Sequence, residues 1–400
     1  MNVLFLSMVY FDTVEQSGIY SDLMRKFRSE GHRLYIMTPI ERRYKTDGIK
    51  EEKEGVTFLK VKTGNLMNVN LIEKGVSTLL VERSFIKAVK RYLADVTFDL
   101  ILYTTPPITF SNVVHFLKKR DQAKTYLLLK DIFPQNAVDL NMFSERSPLY
   151  WYFRQKEKQL YQVSDHIGCM SPANVDYVLK HNDDIEPEKV EVCPNTIMPH
   201  PMVSSVESKL AIRQRYHLPL DKTIFMYGGN LGKPQGIDFL IQCLKANEQH
   251  NDSFILVVGA GTEFNKLTYY FKAHQPKKAR LLANLPKQDY EELLNSCDVG
   301  LIFLDKRFTI PNFPSRLLSY MQAAKPVIAA IDTATDIGQV IERGEFGFSC
   351  VSGDEVTFSR LVKQLCSTDL RQQLGQNARH YLEKNYTSDH SYEIIMNHFQ

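Results

Sequence analysis

The sequence predicts an α/β protein built as two doubly wound domains in series, and three observations carry that prediction. Its 400 residues exceed what one hydrophobic core ordinarily supports. Short apolar runs alternate with helical segments through both halves, the pattern of parallel sheets covered on both faces. Between Pro194 and Leu220 the texture loosens into prolines, serines and charges, as interdomain connections do.

The first half opens with the apolar run NVLFLSMVY at 2–10, a polar turn containing Gly18, a helical segment from Ser21 to Glu30, a stop at Gly31-His32 and the strand RLYIMT. It continues with GVTFLKV at 55–61, a long amphipathic stretch from Asn70 to Ala94, and FDLILYT at 98–104. A helix from Ile108 to Arg120, the strand KTYLLLKD at 124–131, the helical WYFRQKEKQLYQVS and the strand DHIGCMS at 165–171 complete it. The second half repeats the theme. TIFMYGG at 223–229 enters a glycine-rich turn, a helix runs from Ile237 to Gln249, and SFILVVGAG at 253–261 enters another such turn. ARLLANL, DVGLIFL and PVIAAI supply further strands, and a helical C-terminus runs from Phe358 to Gln400.

Composition narrows the class. With 44% hydrophobic, 24% charged and 11% aromatic residues, and only 19 Gly and 17 Pro, the chain is neither disordered nor collagenous. Forty-nine basic against 46 acidic residues leave a net charge of +3, too near balance for a dedicated nucleic-acid binder. Cys169, Cys193, Cys243, Cys297, Cys350 and Cys366 form no C-x-x-C pair and read as buried reduced thiols. MNVLFLSMVYFD lacks the basic and long apolar regions of a signal peptide, and no stretch is long and apolar enough to span a bilayer, so a cytoplasmic location is expected.

Ligands of such sheets bind beyond the carboxyl ends of the strands, which selects the candidate residues by position. Gly18 sits in the first strand-to-helix loop, and Gly228, Gly229 and Gly232 occupy the matching loop of the second half. Glycines there let backbone N–H groups approach a phosphate at a helix N-terminus, although any tight turn also uses glycine. There is no G-x-x-x-x-G-K-[ST], and GAGTEF at 259–264 lacks the third glycine of a dinucleotide fingerprint, so P-loop and NAD readings fall away. The 11 histidines show no H-E-x-x-H, no D-x-D closes a strand, and Asp183-Asp184 reads as a solvated turn, so no metal site is expected.

The combination of segments resembles the retaining glycosyltransferases of family four, whose GT-B fold pairs two facing Rossmann-like domains across a cleft. GHRLYIMT, FDLILYTTPP, YLLLKDIFPQNAVDLNMF and VEVCPNTI match that family in the first half. FMYGGNLGKPQGID, FILVVGAGTE, LPKQDYEELLNSCDVGLIFL and FPSRLLSYMQAAKPVIA follow in its order and spacing, with Ala324 in place of the usual glycine. The first-half segments are most similar to a subgroup that builds capsule, exopolysaccharide and O-antigen repeat units. The resemblance implies an N-terminal acceptor domain over 1–197, a C-terminal nucleotide-sugar domain over 198–382, and a helix over 383–400 packing back on the first domain.

It also implies residue roles. Gly18 brings N–H groups to the donor diphosphate. Asp131 stands where relatives have a histidine and orients the donor sugar or acceptor hydroxyl, its alternative being a turn or capping aspartate before Pro134. Where the family carries Arg and Lys in the second glycine loop, this chain has Asn230 and Gln235, leaving Lys233 and Arg316 as the expected phosphate cations, with an ordinary surface role as the alternative for both. The family's E-x7-E carboxylates fall on Pro311 and Ser319. Backbone from Asn312 through Pro314 to Ser315 is the expected substitute. Gly229 belongs to the diphosphate loop, and Gly261 and Leu285 would face base and ribose.

The implied reaction is transfer from a nucleotide sugar with retention, without a metal ion or other cofactor, the leaving phosphate taking the acceptor's proton. From the subgroup the donor is expected to be a UDP-linked N-acetylated hexosamine, the 6-deoxy form N-acetylfucosamine among the candidates, and the acceptor a polyprenyl-diphosphate-linked sugar at the inner membrane face. Residues 71–93 mix apolar residues with Lys74, Arg83, Lys87, Lys90 and Arg91, and Lys118, Lys119 and Arg120 add cations. Such a helix can lie on an anionic bilayer, or simply pack its apolar face on a core. Two other classes stay open: a nucleotide-sugar epimerase or phosphorylase of the same fold, and a non-catalytic binding subunit.

Overall fold

The computed structural model describes residues 1–44, 48–65, 71–201 and 206–399 and divides the chain into two compact units, Met1–Met198 with the segment from Ser388 onward, and Pro199–Thr387. The return to the first unit falls at Ser388 rather than 383, because the preceding helix continues unbroken to Asn385.

The first unit runs β1 (Asn2–Leu6), α1 (Ile19–Ser29), β2 (Arg33–Glu41), β3 (Ile49–Lys53), β4 (Val56–Thr63), α2 (Leu71–Tyr92), β5 (Leu100–Thr104), α3 (Ser111–Asp121), β6 (Lys124–Leu129), α4 (Gln135–Asp139), α5 (Pro148–Val163), β7 (His166–Cys169), α6 (Pro172–His181) and β8 (Val190–Val192). Its eight-stranded sheet has the order β3-β4-β2-β1-β5-β6-β7-β8, parallel except for β3 at the edge. β1, β5 and β6 are buried along almost their whole length, so their side chains are apolar on both faces and read as continuous runs in the sequence. The edge strand IKEEK went unrecognised in the sequence because its solvated face leaves it almost without apolar residues.

The second unit runs α7 (Val206–Arg215), β9 (Thr223–Asn230), α8 (Ile237–Asn247), β10 (Ser253–Ala260), α9 (Phe264–His274), β11 (Ala279–Leu282), α10 (Lys287–Ser296), β12 (Val299–Phe303), α11 (Arg316–Gln322), β13 (Val327–Ile331), α12 (Ile337–Arg343), β14 (Gly347–Val351), α13 (Glu355–Gln364) and α14 (Thr368–Asn385). Six parallel strands lie in the order β11-β10-β9-β12-β13-β14. A last helix, α15 (Ser388–Met396), packs on α1 in the first unit, where Lys26 pairs with Asp389 at 2.7 Å and Thr196 meets Ser391 at 2.9 Å. Both sheets are Rossmann-like, and the architecture is GT-B. All six cysteines are free thiols, five buried and Cys366 partly exposed.

α11 ends in a Schellman closure. Ala324 N–H donates to the Met321 carbonyl at 3.0 Å and Lys325 N–H to that of Tyr320 at 2.9 Å, with Ala324 held at φ 49°. This left-handed position is the one a glycine would occupy without strain.

Candidate functional site

In each unit the strand order reverses once, between β1 and β5 in the first and between β9 and β12 in the second. Loops leaving neighbouring strands at such a reversal diverge to opposite faces of the sheet and leave a crevice beyond the strand ends. The expected donor loop follows β9, and Arg316 lies in the connection that follows β12. The topology therefore brings them to one crevice of the second unit.

β9 and β10 stay in register to their ends, Gly229 opposite Gly259 and Asn230 opposite Ala260. Contact, not only conformation, demands glycine here. A Cβ on Gly259 would lie 1.9 Å from the Gly229 carbonyl oxygen, and one on Gly228 would lie 2.1 Å from the Tyr290 hydroxyl. The two glycine turns thus pack on each other. A Cβ on Gly261 would lie 2.4 Å from the Leu231 carbonyl, so that residue too is wedged against the first turn. Half-buried Leu285 precedes Pro286, whose carbonyl accepts the Tyr290 N–H at 2.9 Å, so this loop reaches the crevice through the tyrosine.

Arg316 is surrounded by phenols. Its guanidinium carbon stands 4.4 Å from the centroid of the Tyr227 ring, and a Cβ on Gly229 would come within 3.7 Å of it. The ionisable groups acting on it are Tyr227, Tyr320 and Tyr290. The Tyr320 hydroxyl lies 2.9 Å from the Leu301 carbonyl and 3.1 Å from that of Met226, and accepts the Gly228 N–H at 3.3 Å, which fastens α11 to β9 and β12. Burial raises the Tyr290 phenol to about 12 against the opposing pull of Arg316, so it stays neutral near pH 7. Arg316 Nη1 is enclosed yet has no hydrogen-bond partner among the described residues, and the same is true of Asn312 Nδ2 four residues earlier. A guanidinium stacked on the Tyr227 ring, with no carboxylate pairing it among the described residues, keeps its planar fork for a ligand anion. Sequence reasoning missed the tyrosines; the visible signal was the Arg316/Tyr320 spacing of one helical turn.

The other predicted residues of this unit divide by engagement. Asn230 is exposed, its Nδ2 3.4 Å from Gln235 Oε1, and that oxygen also accepts the Gly232 N–H at 3.1 Å. The two positions expected to be cationic are thus joined to each other and brace the turn. Lys233 is exposed, and its ammonium has no hydrogen bond or ion pair among the described residues. The Asn312 carbonyl accepts from Thr335 Oγ1 at 2.5 Å. Pro314 is half-buried, whereas Ser315 and Ser319 are exposed.

In the first unit Asp131 follows β6. Thr105 Oγ1 accepts the N–H groups of Lys130 at 2.9 Å and Asp131 at 3.1 Å, and Asn136 Nδ2 donates to Asp131 Oδ1 at 2.7 Å. Burial raises the carboxyl to about 6, against the Asn136 and Ile132 hydrogen bonds that lower it. Asn136 was not foreseen; it lies five residues on, in the turn that opens α4. Lys130, also unforeseen, donates to the Cys193 carbonyl at 3.2 Å, and burial lowers its ammonium. Gly18 caps α1, and its own N–H donates to the first-turn acid Asp22 at Oδ1, 3.1 Å.

Residues 208–381 match the family model for glycosyl transferases group 1. The match lies wholly within the second unit and contains the crevice just described. The chain is 23% identical over 321 residues to the probable glycosyltransferase WbjE of Pseudomonas aeruginosa, covering 79% of this chain and 78% of that one. It is 26% identical over 178 residues to the putative colanic acid biosynthesis glycosyl transferase WcaI of Escherichia coli K12, covering 44% and 42%. Among solved structures, Alr3699/HepE of Anabaena in complex with UDP-glucose superposes with a TM-score of 0.71 at 15% identity, over 100% of this chain and 99% of that one.

In the first unit, the predicted membrane-side cations separate into two sets. Arg83, Lys87, Lys90 and Lys119 are exposed. Lys118 is not available as expected: its Nζ donates to Asp165 Oδ1 at 2.6 Å and to the Val163 carbonyl at 3.1 Å. Arg120 likewise pairs with Asp121 and caps the carbonyls of Leu93 and Val96. The apolar face of α2 is also spent, since Val81, Phe85, Val89 and Leu93 lie in the core. Lys74 falls among side chains outside the described residues. No described helix is long and apolar enough to cross a membrane, and no described cluster of His, Cys, Asp and Glu could hold a metal.

Proposed function

We propose that the chain is a retaining glycosyltransferase that moves a sugar from a UDP-sugar to a polyprenyl-diphosphate-linked sugar during bacterial surface polysaccharide synthesis. The observation that carries the reading is Arg316, an enclosed guanidinium with an unpartnered Nη1 beside Gly229 at the strand-order reversal. A departing nucleoside diphosphate needs positive charge fixed in advance of bond breaking, and a preorganised fork supplies it without reorganisation. Asn312 Nδ2 offers a second enclosed donor in the same connection.

In this mechanism Arg316 grips the diphosphate, and Lys233, free on the first glycine turn, adds a second cation. The leaving phosphate accepts the acceptor's proton on the face from which it departs, so Asp131 orients a hydroxyl rather than removing its proton. The donor sugar is read as an N-acetylated hexosamine, with N-acetylfucosamine among the candidates, and no metal takes part. Support comes from the UDP-glucose complex of HepE and from the polysaccharide pathway in WcaI's description. A second reading, a non-catalytic subunit, is favoured by one observation: neutral Asn230 and Gln235, bonded to each other, stand where the resemblance places an arginine and a lysine.

Thermal unfolding against UDP, GDP, ADP, CMP and NAD tests the donor. A ligand at a hundred times its Kd stabilises by about 2.7 kcal/mol. Selective stabilisation by UDP, followed by turnover of UDP-sugars with lipid-diphosphate acceptors, is expected; UDP binding without turnover would favour the second reading, and selection of GDP would refute the UDP assignment.

A further inference from the structure

The connection between α4 and α5, together with the first turns of α5, presents an apolar surface. Within residues 142–152, Met142 is 62% exposed, Leu149 49%, Trp151 64% and Tyr152 37%. The same segment is firmly anchored: Phe153 meets Phe133 with ring centroids 4.9 Å apart, and Phe143 meets Phe133 at 6.2 Å. Ser147 caps α5 by accepting the Tyr150 N–H at 3.1 Å. Phe143 and Phe153 thus anchor the segment on Phe133, which precedes α4, while four large apolar side chains of the segment are exposed. Apolar groups kept in water on an ordered element mark an interaction surface.

Charge identifies the occupant. Arg83, Lys87, Lys90 and Arg91 are exposed along α2, and from Leu80 to Tyr92 the helix has one carboxylate, Glu82, which is buried. Glu82 accepts the N–H of Asn112 at 2.6 Å and its Nδ2 at 2.7 Å, so it does not offset the exposed cations. Lys156 of α5 approaches Glu82 at 3.7 Å, and α2 and α5 both pack on α3. The cationic face and the aromatic segment thus belong to adjoining helices of one unit. Inside the segment exposed Arg146 stands beside exposed Glu145, so the segment itself carries no net charge and the cations are those of α2. Indole and phenol rings favour the boundary between water and hydrocarbon, and Lys and Arg are drawn to anionic headgroups.

We propose that Met142, Leu149, Trp151 and Tyr152, flanked by the α2 cations, form the surface by which this unit docks on an anionic phospholipid bilayer. The proposal rests on the lipid-linked acceptor reading above and relocates the apolar part of the contact from α2, whose apolar face is in the core, to the α4–α5 segment. Trp151 is the only tryptophan of the chain and reports on its own environment.

The test uses the full chain with phosphatidylglycerol vesicles and with phosphatidylcholine vesicles. Expected with phosphatidylglycerol are a blue shift of Trp151 emission, quenching by brominated acyl chains, and co-sedimentation that weakens with salt. Neutralising Arg83, Lys87 and Lys90 to Gln should lower the partition coefficient about a hundredfold. The exposed-site variant Leu149→Ser/Met142→Ser, which keeps the reporter, should lower it at least about tenfold. UDP-induced thermal stabilisation, measured in parallel, should be unchanged in both variants, which verifies folding and separates this proposal from the donor reading. Unshifted Trp151 emission, equal partition into both vesicle types, or sedimentation indifferent to these substitutions would overturn the surface, even with UDP binding intact. A lipid-free dimer that shields Trp151 would overturn it in favour of self-association.

Discussion

Arg316→Met should separate stability from ligand binding. In the folded chain the guanidinium leaves Nη1 enclosed without a partner among the described residues, a state that costs about 1–3 kcal/mol. Its stacking on Tyr227, at 4.4 Å, returns about 1–2 kcal/mol. Methionine fills a similar volume and needs no hydrogen bonds, so the two changes nearly cancel, and the unfolding free energy should stay within about 1 kcal/mol of the parent. An arginine that served as half of a buried ion pair would instead strand its partner and cost about 3–5 kcal/mol. Toward UDP the balance differs, because hydrogen bonds to a charged group are worth about 1.5–3 kcal/mol. The dissociation constant should therefore rise by about 10- to 150-fold. Chemical unfolding of the full chain and calorimetric titration with UDP measure the two quantities. Loss of more than about 3 kcal/mol of stability with UDP affinity unchanged would refute the assignment of Arg316 as an anion grip and make it a structural residue.

Three further outcomes follow from the geometry. Ala324→Gly should stabilise the second unit by about 0.5–1 kcal/mol in chemical unfolding, because it relieves the left-handed backbone at φ 49° while losing part of the gain to unfolded-chain entropy. Asp131 has its carboxyl raised from 3.8 to about 6 by burial, so the folded state holds the proton more tightly than the unfolded one, and ionisation costs stability. That cost is absent below pH 3.8, grows through pH 6 and is complete above it. Asp131→Asn should therefore be the more stable protein by about 1–2 kcal/mol at pH 7, the advantage vanishing as the pH is lowered towards 4, and should retain turnover if Asp131 orients rather than deprotonates. Gly228→Ala should abolish UDP-induced stabilisation, since its Cβ would lie 2.1 Å from the Tyr290 hydroxyl and displace the ring that borders Arg316; undiminished UDP binding would remove Tyr290 from the crevice.

The sequence by itself determined the two sheets, because strands buried on both faces must be apolar throughout, and runs such as LILYT and VGLIF have no other stable placement. It also determined where to look for the donor loop, since close backbone contact between Gly229 and Gly259 leaves glycine as the residue that fits. Strands with a solvated face were less legible: IKEEK carries almost no apolar signal. Tertiary structure alone decided which charges are available. Lys118 and Arg83 read alike as basic helical residues, yet one is consumed by Asp165, forty-seven positions along the chain, and the other faces solvent. It alone likewise decided that Tyr227, Tyr290 and Tyr320, drawn from a strand and two helices, converge on Arg316. Local patterning records which face of an element is buried, because burial is repeated every two or 3.6 residues. The identity of the group met across that face depends on strand order and register, which no local period encodes.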